Sequence, residues 1–350
     1  MTRALRLGTR RSALATTQSG WVADELRARG TAVELVEITT RGDVDRAPLA
    51  VIGGTGVFVS ALREALLAGE VDLAVHSLKD LPTAPAEGLA LAAVPRREDP
   101  RDVLVASGGR TLAQLPAGAR VGTGSPRRRA LLLDARPDLE VVAVRGNVDT
   151  RLRMVSSGEL DAVVLAAAGL SRLGRLGEAA EVLDAAAFVP APGQGALAVE
   201  CRADDAGVVA ALAALDSPAD RLAVLAERQL LASLEAGCSA PVGAHARLAG
   251  GALHLSLAVQ GPEGLVRRDV TGPAGDPAAA RALGARTASE LLAGPLAGAA
   301  DALEPLAVPA AGPARPPAAL GGGAPDATPH RAPAGPPPDP DSGSCARRRK

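Results

Sequence analysis

Aromatic residues are almost missing from this chain: 350 residues include one Trp, two Phe and no Tyr, at Trp21, Phe58 and Phe188. Proteins that hold single-stranded nucleic acid stack bases on aromatic side chains, so that class lacks its raw material here. An excess of charge is lacking as well. The 38 Lys and Arg stand against 39 Asp and Glu, a formal net charge of −1. No overall field draws the chain to nucleic acid or to an anionic membrane. No apolar run reaches the roughly 20 residues of a membrane span, and the N-terminus MTRALRLGTRRS has no apolar signal core. A cytoplasmic protein is expected, with neither nucleic acid nor membrane as partner. Three scattered cysteines, Cys201, Cys238 and Cys345, make no disulfide framework. Lysine is scarcer still. Lys79 and the terminal Lys350 are the only two in a chain whose other cations are arginine, which singles out Lys79.

What is present reads as alternating strands and helices. ALRLGT and AVELVEIT are strands on either side of a helical segment, Ser12 to Ala28. A second helical segment, Val57 to Ala68, precedes VDLAVHS, an apolar run of the buried parallel kind. The pattern then repeats. Arg6-Leu7-Gly8-Thr9 is echoed by Arg120-Val121-Gly122-Thr123, and Gly69-Glu70-Val71-Asp72 by Gly158-Glu159-Leu160-Asp161. Echoes in the same order predict two similar α/β lobes.

Ser217-Pro218 opens a different region. Ser217 is placed to cap a helix with Pro218 in its first turn, Leu222, Leu225, Leu230 and Leu234 mark its apolar face, and Gly237 is its expected stop. Strands follow at Val242–Leu248, Leu253–Val259 and Leu265–Val270, then a helix at Pro277–Leu292, predicting a small α+β third domain. From Pro305 onward the chain holds twelve of its 28 prolines and no hydrophobic period, so 305–350 is expected to be a disordered tail.

Few patterns carry chemistry. His245 and His254 sit on strand patterns and are expected to face solvent, His330 lies in the tail, and His76 ends a buried strand as a structural histidine. No Cys and His spacing suits zinc, so no metal is expected. VIGGTGVF and VGTGSPRR lack both the phosphate-loop ending and the dinucleotide fingerprint. The arginines are more specific. Arg10 and Arg11 stand at one strand-to-helix junction, Arg127, Arg128 and Arg129 follow Ser125 at its counterpart, and Arg145, Arg151 and Arg153 lie in or beside RGNVDTR. Helix N-termini and guanidinium forks suit carboxylates. Lys79 and Asp80 follow a buried strand, where open α/β sheets deliver ligand-binding loops. Cys238 falls on a loop just after a helix, with no packed surroundings in its sequence.

HSLKDLP, GTGSPRRRALL, RGNVDTRL, APGQGALAVECR and LEAGCSAPVG, with the opening LGTRRSALA and TTRGD, together resemble the porphobilinogen deaminase (hydroxymethylbilane synthase) family from about Leu5 to Leu303. The resemblance implies two periplasmic-binding-protein-like α/β lobes, 1–98 with 194–214 and 99–193, and an α+β third domain at 215–304. It implies a monomeric transferase that condenses four porphobilinogen molecules onto a dipyrromethane cofactor, one per chain, joined by a thioether to Cys238. Porphobilinogen loses ammonia to give an azafulvene, which the free pyrrole α-carbon attacks. A linear tetrapyrrole, hydroxymethylbilane, is released for porphyrin and haem biosynthesis, with possible transfer to uroporphyrinogen III synthase. Asp80 is then the catalytic carboxylate that faces cationic pyrrole nitrogens. Lys79, Ser125, Arg127, Arg128 and Arg145 take the cofactor's carboxylates; Arg10, Ser12, Arg151, Arg172 and Gln194 take those of substrate. Thr55 and Ser60 stand where many family members carry lysines in a glycine-rich lid, while Phe58 matches the family. A non-catalytic two-lobed protein that binds a small carboxylate would explain the lobes and arginines but not Cys238. A thiol acyltransferase would need a histidine partner for that cysteine.

Overall fold

The computed structural model describes residues 3–38, 57–237 and 240–298. Cys238, Thr55, the TTRGD stretch and the 305–350 tail lie outside the described residues, as does the Phe58 side chain. The first elements are β1 (Leu5–Thr9), α1 (Ala13–Ala28), β2 (Val33–Glu37), α2 (Val57–Leu67), β3 (Leu73–Ser77) and β4 (Leu89–Ala93). Next come β5 (Asp102–Ala106), β6 (Arg120–Gly122), α3 (Pro126–Ala135), β7 (Glu140–Val142), α4 (Val148–Ser156), β8 (Ala162–Ala166), α5 (Ala167–Arg172), β9 (Glu181–Val182) and β10 (Leu197–Arg202).

Two five-stranded sheets result, ordered β2-β1-β3-β10-β4 and β7-β6-β8-β5-β9. In each, four strands run in the same direction and the fourth in the order runs antiparallel to them. That fourth strand is exchanged. β5 is the first strand after the chain leaves the first sheet, and β10 is the strand on which it returns. Two similar α/β sheets joined by a double crossover are the arrangement of two-lobed periplasmic binding proteins.

The sequence echoes occupy matching positions. The Arg6 amide donates to Asp72 Oδ2 at 2.9 Å, and the Arg120 amide to Asp161 Oδ2 at 2.7 Å. In both sheets this ties the second strand of the order to the turn entering the third. The paired glycines have a packing cause. A Cβ on Gly8 would meet Leu62 and Val71 at 3.1 and 3.2 Å, and one on Gly122 would lie 2.6 Å from Leu160. Leu7, Val22, Leu26, Leu73, Val199 and Cys201 belong to one core; Leu104, Val121, Leu131, Leu132 and Val164 belong to its counterpart. Cys201 is fully buried, as its phase with Leu197 and Val199 predicts, and burial pushes its thiol up to about 11.

The remainder is α6 (Ala206–Ala213), α7 (Pro218–Ser233), the antiparallel hairpin sheet β11 (Val242–Ala249), β12 (Ala252–Gly261) and β13 (Gly264–Pro273), and α8 (Pro277–Ala293). Helices α7 and α8 cover this sheet and cross closely, because Gly284 has no Cβ; one there would sit 2.3 Å from the Ala226 carbonyl oxygen. Among the described residues no helix is long and apolar enough to cross a membrane.

Three local expectations change. Ser217 occupies the N-cap position of α7, but its hydroxyl donates to Asp220 Oδ2 at 2.7 Å rather than accepting a backbone N–H. Asp220 in turn accepts the Arg97 amide at 3.1 Å. The left-handed residue that follows α7 is Glu235, at φ 53°, not Gly237. His245 and His254 are half-buried, because the first faces the Glu227 and Arg97 charges and the second approaches the Ala249 carbonyl and Thr271 at 3.3 Å each.

Candidate active site

Corresponding helices open the site. Ser12 caps α1 by accepting the Ala15 N–H at 3.3 Å, and Ser125 caps α3 by accepting the Arg128 N–H at 3.4 Å. Each follows the first strand of a pair of parallel neighbours, so each helix presents its positive end beside a strand terminus.

Arg127 and Arg128 turn inward from the first turn of α3 to a shared carboxylate, Asp102. Arg127 Nη2 donates to Oδ2 at 2.8 Å; Arg128 donates to Oδ1 from Nη2 at 2.7 Å and from Nε at 3.1 Å. Arg127 also donates to the Val189 carbonyl at 2.7 Å and Arg128 to that of Val164 at 3.0 Å. Burial alone would raise the Asp102 pKa, but the two guanidinium groups hold it far below the usual carboxylate range. One carboxylate against two cations leaves positive charge in excess. The Arg127 Nε is buried without a hydrogen-bond partner.

Gln194 joins this group to the turn after β3. Its amide donates to the Pro100 carbonyl at 2.7 Å and to Asp102 at 2.8 Å, while its oxygen accepts Lys79 Nζ at 3.3 Å and Arg128 at 3.5 Å. All four hydrogen-bonding positions of the side chain are filled by protein, so Gln194 orients the cations. Burial, then the Arg128 charge, depresses Lys79 to about 8; Asp80 and Asp102 pull the other way. Arg151 is lowered to about 10 by the same two causes, and Asp80 again opposes. Asp80 ends the 3-10 turn Leu78–Asp80 and is exposed. Its carboxylate thus acts on a cation from each sheet.

The APGQGAL motif has a geometric cause. Gly193 and Gly195 have φ of 74° and 87°, where side chains are disfavoured. A Cβ on Gly195 would lie 2.4 Å from the Glu98 carbonyl oxygen, where the two crossover segments touch. The Gly195 carbonyl accepts the Glu98 N–H at 3.2 Å and Arg172 Nη2 at 2.8 Å.

Lys79, Ser125 and Arg127 meet Leu231, Gly237 and Ala240 around one cavity. Gly237 precedes Cys238, and Ala240 follows Ser239, so the loop with the expected anchor thiol departs from and returns to this wall. Crowded cations, a helix N-terminus and an unpartnered buried guanidinium nitrogen fit a ligand bearing several carboxylates. Arg10 and Ser12 do not line this cavity, and Arg145 is exposed. His76 is structural: its Nε2 lies 3.2 Å from Glu200, which Arg63 grips at 2.8 and 3.0 Å.

Two buried acids were missed in the sequence. Asp102 opens the apolar run DVLVA, and a lone acid at the head of a buried strand was the available signal. Glu227, fully buried on α7, accepts Arg97 at 2.6 and 3.1 Å, the Gly193 amide at 2.6 Å and the Ala246 amide at 2.7 Å. It joins both crossover segments to β11.

Comparison with known proteins agrees. Residues 5–210 match the family model "Porphobilinogen deaminase, dipyromethane cofactor binding domain", and 221–293 match "Porphobilinogen deaminase, C-terminal domain". Porphobilinogen deaminase 1 of Streptomyces coelicolor is 60% identical over 309 residues, spanning 85% of this chain and 97% of that protein. The porphobilinogen deaminase of Thermobifida fusca is 62% identical over 262 residues, spanning 74% and 82%. A putative methionine-binding lipoprotein of Bacillus subtilis aligns distantly, over 61% of this chain and 89% of its own, at 15% identity and a TM-score of 0.39. With both family models matched in order and relatives at this identity over most of the chain, this protein belongs to the porphobilinogen deaminase family.

Proposed function

We propose that the chain condenses four porphobilinogen molecules stepwise onto a dipyrromethane held by Cys238, releasing one ammonia per condensation, and that water then cleaves the bond between the tetrapyrrole and the dipyrromethane to release hydroxymethylbilane. The observation that carries this reading is the cavity at which Lys79, Ser125 and Arg127 meet the residues on either side of the Cys238–Ser239 step. When bound, the dipyrromethane supplies the nucleophilic pyrrole α-carbon from which the product grows.

The residues divide the remaining work. Lys79, Ser125 and Arg127 hold cofactor carboxylates at the cavity, with Arg145 on the exposed side. Arg128, whose donors already meet Asp102, Val164 and Gln194, acts chiefly through its charge. Arg10, Ser12, Arg151 and Arg172 hold the carboxylates of the incoming porphobilinogen, and Gln194 keeps Lys79 and Arg128 in place. Asp80 stabilises positive charge on the pyrrole nitrogens and carries protons; fixed opposite charge aimed at a developing cation is the strongest form of such help. The same reading takes 1–98 with 194–214, 99–193 and 215–304 as three domains of a cytoplasmic monomer, with a transient hand-over of product to uroporphyrinogen III synthase as its downstream step.

Intact mass tests the assignment. The parent and Cys201→Ser should carry the dipyrromethane adduct and turn over; Cys238→Ser should carry none and be inactive. A parent without adduct would instead favour a two-lobed carboxylate-binding protein, and an adduct retained after loss of Cys238 would move the anchor elsewhere.

A further inference from the structure

Helix α7 turns one stripe of side chains towards the turn that carries Lys79 and Asp80. Val224 shares a core with Leu78 and Leu81, Leu231 lines the cavity beside Lys79, and Arg228 lies between them. The spacing of four and three residues puts all three on one face. Arg228 donates from Nη1 to the Leu81 carbonyl at 2.8 Å and from Nη2 to the Pro82 carbonyl at 2.7 Å, with the Leu78 carbonyl 3.5 Å from Nη1.

The Leu81 and Pro82 carbonyls lie past the bond that closes the turn, from the Leu81 amide to the Leu78 carbonyl at 3.1 Å. The sequence shows why no further helical turn follows. Pro82 has no N–H and confines the residue before it to extended backbone; Leu81 has φ −85° and ψ 124°. The chain therefore cannot continue as a helix, and Leu81 is almost completely buried. A planar guanidinium fork meets two adjacent carbonyls at once, which an ammonium cannot do with the same geometry. The other end of the turn is fixed just before β10, where the Leu78 amide donates to the Ala196 carbonyl at 3.0 Å.

We infer that Arg228 is a positioning residue for the reaction: from α7 it clamps the carbonyl end of the Leu78–Pro82 turn and so fixes Asp80 relative to the cavity wall that Leu231 of the same helix lines. The inference rests on the catalytic role given above to Asp80. Asp80 is exposed and has no side-chain bond of its own among those described, so its placement depends on the backbone on either side. That backbone is gripped by Ala196 before it and by Arg228 after it.

The test uses full-length protein with its primer attached, as the parent, Arg228→Met and Arg228→Lys. Hydrogen–deuterium exchange is followed in peptides covering 78–82 and, separately, in α7 and the β11–β13 sheet. In Arg228→Met the turn amides should exchange at least roughly ten- to a hundred-fold faster, the range that losing even one of the two charge-assisted hydrogen bonds would set, while α7 and the sheet keep the parent's rates. kcat should fall over a similar range with KM for porphobilinogen within about two-fold, since binding by the arginines is untouched. Arg228→Lys, which can reach one carbonyl, should recover part of both. Unchanged exchange in the turn, unchanged kcat, or acceleration spread evenly through α7 and the sheet would each overturn the positioning role. If Arg228→Met does not fold, Arg228→Lys decides on the same two readouts. A parent that lacks deaminase activity refutes the functional reading instead, and the exchange data still report on the clamp.

Discussion

Asp102 and Arg128 meet through two hydrogen bonds to one carboxylate oxygen, 2.7 Å from Nη2 and 3.1 Å from Nε, with both side chains buried. The other oxygen takes Arg127 at 2.8 Å. Asp102 is therefore the only carboxylate found bonded to either guanidinium among the described residues, and it touches no solvent. Removing one member of a buried ion pair typically costs about 3–5 kcal/mol, because the partner keeps its desolvation penalty. Asp102→Asn keeps the shape and leaves two buried cations. Its unfolding free energy should drop by about that amount in denaturant titration. A variant as stable as the parent would show that solvent reaches these arginines after all.

Arg127 and Arg145 should separate in their effects, although the sequence presents them alike. Arg127→Leu strips Asp102 of one partner and removes a donor from the cavity, so both stability and elongation should suffer. Arg145 is exposed, and a surface change of this kind usually stays within about 0.5 kcal/mol. Arg145→Leu should keep the parent's denaturation midpoint and stall elongation partially, since a charge-assisted hydrogen bond is worth roughly 1.5–3 kcal/mol. Denaturant curves read beside the mass ladder of enzyme-bound intermediates would distinguish them. Equal midpoints for the two variants would contradict the buried pairing.

Lys79 gives a pH signature. Burial first, and the Arg128 charge second, lower it from 10.5 to about 8 in the folded chain. Between those values the unfolded chain holds a proton that the folded chain has released, so this group makes stability rise with pH through that window. Function runs the other way, because above about pH 8 the cation that meets carboxylates is lost. Primer capture by unloaded protein, timed by intact mass, should slow between pH 7 and pH 9, and Lys79→Arg should remove that step. An identical slowing in Lys79→Arg would assign it to another group.

Asp80 is the sharpest case. Losing one preorganised electrostatic contact to a developing charge typically costs about a hundred- to a thousand-fold in rate. Asp80→Asn, compared on protein with its primer already attached, should fold normally and lose at least that much turnover. Asp80→Glu keeps the charge one methylene out of place and should fall between. Parent-like turnover in Asp80→Asn would reduce the residue to a member of the turn.

Much of this was legible from local pattern. Burial of Cys201 follows from its phase with Leu197 and Val199, and the strands and helices follow from the spacing of apolar residues. The echoes around Gly8 and Gly122 announce two similar sheets, because the same packing problem has the same answer twice. Cys238 and the motif set disclose the family. Ser217 and Gly237 were misread for one reason: each has a residue type that suits its expected role, while a neighbour takes that role or redirects the side chain. Asp220 draws the Ser217 hydroxyl, and Glu235 adopts the left-handed backbone before Gly237 is reached.

By itself, then, the sequence determined which segments are strands and helices, that two of the lobes are alike, and which chemistry the chain is built for, since these depend on near neighbours and on the order of motifs. Tertiary structure decided who pairs with whom. Asp102 lies 25 residues before Arg127, and only the insertion of β5 beside β8 brings it beneath α3. Gly195 must lack a side chain because Glu98 passes at the other crossover, and Arg228 finds its carbonyls about 146 residues back along the chain. No local periodicity encodes such partners, because a buried charge or an orphaned carbonyl is satisfied by whatever the folded chain brings within about 3 Å of it.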